Sequence, residues 1–181
     1  MSGAVGWQGE VSRRVLREDL TRLAKALVAT GARRVIIVGD MLHAGIGVTD
    51  DLVADVAAFK AEHPEPWVLV RGNHDAKVNR VAEAWGLAVH AERLDERGLT
   101  FEHIPPDPPC PDRFTISGHE HPAVTLAGRG GLGIAKLPAF IVGPCRLILP
   151  AFSRFTAGGR VRLTPGDRVY ACGPREVFEV P

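Results

Sequence analysis

Apolar positions in the first half of the chain follow two alternating spacings. Leu16, Leu20, Leu23 and Leu27 recur every three or four residues and so share one helical face, and Gly31 stands where such a helix would stop. The run RVIIV (34–38) is apolar on both faces, as in a strand of a covered parallel sheet. Thr49, Asp50 and Asp51 suit the positive end of a second helix. Leu52, Val56 and Phe59 form its stripe, and Pro64 and Pro66 end it. WVLV (67–70) predicts the next strand, and Val78, Val81, Ala82 and Trp85 predict a third helix closed by Gly86. Helices alternating with apolar strands predict α/β architecture.

Beyond about residue 87 the helical spacing is lost. LTFEHI, RFTISGH, KLPAFIVG, CRLILPAF and REVFEV read as strands separated by Pro and Gly clusters. They predict a second, largely antiparallel sheet packed as a layer against the first half. PPDPPCPD (105–112) is a stiff loop in which proline forbids regular structure. No repeat, low-complexity tract or linker is evident, so one domain over residues 1–181 is expected. The chain opens with a helix, whereas alternating units of this kind normally open with a strand.

Composition narrows the function classes. A hydrophobic content of 45% and a charged content of 24% are ordinary for a globular protein. The net charge of +1 gives no global attraction to nucleic acid, so any basic patch must be local. Cys110, Cys145 and Cys172 are far apart and form no CxxC pair, which argues against a thiolate zinc site or a redox motif and fits a reducing compartment. The start, MSGAVGWQGEVSRR, has no apolar core of a signal peptide, and no apolar run approaches the roughly 18 residues of a membrane helix. A cytoplasmic protein without membrane association is expected.

Three segments share one form, an apolar strand followed by Gly and then by metal-competent side chains. They are VIIVGDMLH with Asp40 and His43, VLVRGNHD with Asn73, His74 and Asp75, and FTISGHEHP with His119 and His121. Strand carboxyl ends line the usual ligand crevice of α/β sheets, so the three loops could converge. Glycine lets the backbone turn sharply there and brings the next side chain close to a bound ion. Each segment alone could be an ordinary turn; their recurrence in this order disfavours that explanation.

GD, GNHD, a single His and GHxH, in that order, resemble the calcineurin-like metallophosphoesterases. GDMLHA, RGNHD, SGHEHPAV and the later LPAF and TAGG resemble one branch most closely, the bacterial phosphoesterases associated with a DNA ligase and a DEXH-box helicase. The resemblance spans roughly residues 15–160 and implies a sandwich of two mixed β-sheets flanked by helices, here without its first strand. It implies that Asp40 bridges two metal ions, that Asn73, His103 and His119 complete one site, and that His121 serves the other. Such mixed nitrogen and oxygen ligation suits manganese first, with Fe or Zn²⁺ as alternatives. His74 is placed beside the phosphate as the group that assists the leaving oxygen, with Asp75 orienting it. His43 belongs to the branch pattern without an assigned role. A water activated between the two metals is the implied nucleophile.

The family also carries an earlier Asp-x-His motif at the end of its first strand, and this sequence has none before Asp40. The first ion would keep only Asp40 and His121, so it should bind weakly or not at all, leaving perhaps one ion per chain. The expectation is a chain truncated at its N-terminus relative to the family and impaired in activity. The implied function is phosphodiester hydrolysis linked to DNA repair, with DNA and a ligase–helicase system as the associated partners. A nucleotide or protein phosphomonoesterase and a non-catalytic protein-binding scaffold of the same fold are the alternatives.

Overall fold

The structure, a computed structural model, describes residues 3–42, 48–127, 134–153, 156 and 158–181, with the side chains of residues 3–12, 127 and 134 left undescribed. It comprises two compact units, residues 1–91 and 92–181. His43 lies outside the described residues.

The first unit is built on a parallel sheet of three strands, β1 (Val35–Val38), β2 (Trp67–Val70) and β3 (Leu87–His90), in the order β1-β2-β3. Helix α1 (Gly3–Thr30) precedes β1, and α2 (Asp50–Glu62) connects β1 to β2. The predicted leucine stripe does what its spacing requires, since Leu16, Leu20 and Leu23 pack on a core of Leu42, Val56, Trp67, Leu69, Val78, Val81, Trp85 and Leu87. Gly31, at φ +62°, ends α1 with an N–H donated to the Leu27 carbonyl, the single-bond left-handed cap that a side chain would strain. Thr49 caps α2 by accepting from Leu52 N–H, and Asp50 and Asp51 occupy its first turn. The Arg13 guanidinium forks onto Asp55 and reaches Asp51, tying α1 to α2. The Arg13 hydrogen bond holds the Asp55 carboxyl below its ordinary range.

WVLV is buried at all four positions, as a central strand apolar on both faces should be, while VIIV is half-buried throughout because β1 lies at the edge. The third helix takes a different form. A 3₁₀ helix, Asp75–Arg80, gives way to turns with mixed i+3 and i+4 bonds as far as Gly86. Trp67 pairs with Leu87, so this segment carries the chain back for a parallel pairing, as α2 does between β1 and β2. Val78, Val81 and Trp85 keep the anticipated burial, and only the helix type differs.

The second unit is a mixed sheet of eight strands: β4 (Arg93–Glu96), β5 (Leu99–Glu102), β6 (Phe114–Ser117), β7 (Ala123–Ala127), β8 (Ile134–Val142), β9 (Arg146–Ile148), β10 (Arg168–Cys172) and β11 (Val177–Val180). Their order is β11-β10-β8-β9-β6-β5-β4, with β7 paired to β8. The pairs β5–β6 and β6–β9 are parallel and the others antiparallel, so the sheet is less uniformly antiparallel than its sequence suggests. Hairpin β4–β5 turns on Arg97 and Gly98, both at positive φ, the two-residue geometry that follows the twist of the strands. Arg146, at the start of β9, and Asp167 form an ion pair whose side chains are 8% and 1% exposed.

Among the described residues no helix is long and apolar enough to cross a membrane.

Candidate metal centre

In the first unit, the loops after β1 and β2 are joined by two carboxylates. Asp40 follows Gly39, both at positive φ, and its Oδ1 accepts the His74 backbone N–H at 3.0 Å. Asp75 is fully buried; its Oδ1 accepts from Leu42 N–H at 2.9 Å and its Oδ2 from Gly72 N–H at 2.8 Å. Each carboxylate therefore uses an amide of the other loop, and the pair fixes VGDML against RGNHD. Asn73 and His74 lie exposed between Gly72 and Asp75, and the described side chain of Asp75 faces the backbone of the two loops. Sequence reasoning assigned Asp75 to the orientation of His74; its two amide bonds give it a bracing role that no sequence signal announces.

Gly72 is required by close approach. A Cβ there would fall 2.3 Å from Asp40 Oδ1 and 2.4 Å from Asp40 N, and backbone cannot swing aside as a flexible side chain can. Gly72→Ala should displace the Asp40 carboxylate; with Asp40 as a metal ligand, as the motif resemblance implies, Mn²⁺ binding should weaken by about 10–100-fold, the range for residues that position a ligand. A calorimetric Mn²⁺ titration checks this, and wild-type affinity in the variant would refute it.

In the second unit, β5, β6 and β9 run parallel with their last residues in line, Glu102 beside Ser117 and Ser117 beside Ile148. His103 follows β5 directly and is 4% exposed, while His119 follows β6 after Gly118. Gly118 N–H donates to the His103 carbonyl at 3.1 Å, which aligns the two loops. The rings meet edge to face with centroids 4.9 Å apart, and His119 Nδ1 lies 3.1 Å from His103 Nε2. Two nitrogens about 2.1 Å from one ion, at a right angle, would stand about 3.0 Å apart, so the pair fits ligation of a single divalent ion. His121 sits two residues on, and its carbonyl accepts the Gly159 N–H at 2.8 Å. Gly158 and Gly159 of the TAGG segment press on this loop: a Cβ on Gly158 would meet Ala123 Cβ at 2.4 Å, and one on Gly159 would meet the Glu120 carbonyl at 3.0 Å.

Of the four described non-glycine residues with positive φ, three are Asp40, His119 and His121, at +53°, +65° and +47°. Such backbone costs on the order of 1–3 kcal/mol per residue and collects at functional sites. The strain thus falls on three of the side chains that the sequence marks as ligands.

The sequence profile of the calcineurin-like phosphoesterases matches residues 15–119, more than half of the chain, from within α1 to His119. The chain belongs to the calcineurin-like phosphoesterase family. Hydrolysis of phosphate esters with divalent metal is the chemistry of that family, and the paired imidazoles and the strained carboxylate are donors that such metals take. Among solved structures, the Pseudomonas putida nuclease MPE is similar to this phosphoesterase at 29% identity, with a TM-score of 0.77 over 91% of this chain and 78% of that one. The comparison with curated proteins gives no match.

Proposed function

We propose that this phosphoesterase is a metal-dependent phosphodiesterase acting on nucleic acid, with residues 1–181 working as one catalytic domain. The observation that carries the reading is the buried His103 with its ring nitrogen 3.1 Å from that of His119, on a chain similar to a nuclease. In this reading Asp40 and Asn73 join His103 and His119 to hold one divalent ion, manganese foremost, and Asp40 with His121 holds a second, weaker one. Bound metal supplies Lewis acidity toward the phosphoryl oxygens and acidifies water at neutral pH. His74, exposed at the head of the 3₁₀ helix, donates its proton to the leaving oxygen. Asp75 acts through the backbone, holding the loop that carries Asn73 and His74 against the loop that carries Asp40. The resemblance of GDMLHA, RGNHD and SGHEHPAV to the ligase- and helicase-associated branch supports a link to DNA repair in this reading.

The test is turnover of a bis-aryl phosphodiester, an aryl phosphomonoester and single-stranded DNA after chelation and repletion with Mn²⁺, Fe²⁺, Zn²⁺ or Mg²⁺. The expected result is cleavage of diester and DNA that chelation abolishes and Mn²⁺ restores best, with slower monoester turnover. A preference for the monoester would redirect the reading to a phosphatase. No turnover of any ester with metal in excess would favour the scaffold alternative.

A further inference from the structure

The 3₁₀ form of Asp75–Arg80 sorts its side chains into rows. At three residues per turn, residues three apart lie one above another, about 6 Å apart along the axis. His74 joins this geometry, with helical backbone at φ −91° and ψ −8°. One row, Gly72, Asp75, Val78 and Val81, is buried and seats the segment on the core. A second, Asn73, Ala76 and Asn79, is exposed and uncharged. The third is His74, Lys77 and Arg80, exposed at every position and carrying two cations. An α-helix would wind such a row round its axis by about 60° per step, whereas the 3₁₀ form keeps it straight. Arg71 joins the cations through Asn79: its Nε is buried and its Nη2 donates to Asn79 Oδ1 at 2.6 Å, which fixes the guanidinium and leaves Nη1 for a ligand. Among the described residues Arg71, Lys77 and Arg80 form no ion pair, while Arg13, Arg14, Arg17 and Arg22 of α1 each hold a carboxylate. Three cations gathered without a counterion repel one another, and their complement is an anion that repeats.

We infer that Arg71, Lys77 and Arg80 form a track for the phosphate backbone of a nucleic-acid strand, holding the phosphates next to the scissile one on its leaving side. This inference rests on the nucleic-acid reading above and adds the path of the strand. The row begins at His74, the proton donor to the leaving oxygen in that reading, so the strand it carries is the one that departs. Its spacing of about 6 Å is close to that of successive phosphates along an extended strand, so one row can meet consecutive phosphates where a lone phosphate could use a single cation. The net charge of +1 requires any attraction to nucleic acid to be local, and this group supplies it. Arginine with a fixed guanidinium plane suits the two-oxygen face of a phosphate, and lysine serves as a point charge. Such contacts set the position of the strand without reading its bases.

The test measures binding of a short, cleavage-resistant phosphorothioate oligonucleotide to the Mn²⁺-loaded full chain as salt is varied between about 50 and 200 mM. Each phosphate contact on a single strand contributes about 0.7 to the slope of log affinity against log salt. Lys77→Gln and Arg80→Gln should each weaken binding and flatten the slope by about 0.7, and the double variant by about 1.4, equally on strands of different base sequence. Both residues are exposed, so the variants should melt as the wild type does. Arg33→Gln, an exposed arginine at the amino end of β1 and so away from the loops, should leave the slope unchanged. On a strand of neutral methylphosphonate linkages, wild type and variants should bind alike. An unchanged slope in the double variant, an equal flattening in Arg33→Gln, or an equal loss on the neutral strand would overturn the track while leaving the nucleic-acid reading in place. Failure of the wild type to bind any oligonucleotide would overturn both. Turnover of the bis-aryl diester by the wild type reads the phosphodiesterase assignment separately.

Discussion

Asp40→Asn is expected to lower Mn²⁺ affinity and phosphodiester turnover by more than about 100-fold while leaving the fold intact. Loss of a residue that merely orients a ligand costs about 10–100-fold, so loss of a charged ligand should exceed that. The asparagine oxygen can still accept the His74 N–H that Asp40 Oδ1 accepts at 3.0 Å, so the two loops should stay joined and thermal stability should change little. Asp40→Ala removes that acceptor as well, and should lower the melting temperature in addition to abolishing turnover. The separation of the two variants is the informative result. Should Asp40→Asn bind Mn²⁺ as tightly as the wild type, Asp40 is no ligand and the proposed metal centre fails.

The largest expected effect on stability lies away from that centre, at Asp167. Its carboxylate accepts from Arg146 Nε at 3.1 Å and from Arg146 Nη2, and from the Thr164 backbone N–H at 2.6 Å and hydroxyl at 3.0 Å. Burial pushes the carboxyl upward, but the Arg146 fork and the two Thr164 donors outweigh it and hold Asp167 below its ordinary value of 3.8. Asp167→Ala leaves Arg146 buried with, among the described residues, the Arg162 carbonyl as its remaining hydrogen-bond partner, at 3.1 Å from its Nη2. Breaking one side of a buried pair costs about 3–5 kcal/mol. Because the folded value is depressed, the stabilisation is complete above the unfolded pKa and is lost as pH falls through the folded one. The wild-type melting temperature should therefore drop in acid below about pH 4, and that of Asp167→Ala should lose this component of its pH dependence. Thermal melts across that range measure it. A loss of no more than about 0.5 kcal/mol, the size of an ordinary surface substitution, would show the pair contributes little.

Features that depend on one stretch of chain could be read from the sequence. The leucine stripe of α1, the Gly31 stop, the Thr49 cap and the fully apolar β2 are each set by neighbours a few residues away. Strand β4 was less visible, because Arg93, Asp95 and Glu96 give it polar character; its signal is the Arg97–Gly98 turn before LTFE. The 3₁₀ form of the third helix could not be read, since Val78, Val81 and Trp85 keep α-helical spacing and are buried as that spacing anticipates.

The same distinction holds for the centre. Residue types and order singled out Asp40, Asn73, His74, Asp75, His103, His119 and His121. That the His103 and His119 nitrogens face one another follows from parallel register between β5 and β6 and from the positive φ of His119, neither of which is local to His103. The bracing by Asp75 and the need for Gly72 likewise arise from contacts between segments more than thirty residues apart.

The left-handed backbone at Asp40, His119 and His121 has a consequence for anyone reshaping this protein. Glycine at those three positions would relieve the local conformational cost, and a search that rewards melting temperature alone would favour it. The gain would come at the residues whose side chains the proposed reaction requires. Thermostable variants selected without an activity screen should therefore be sequenced first at these positions.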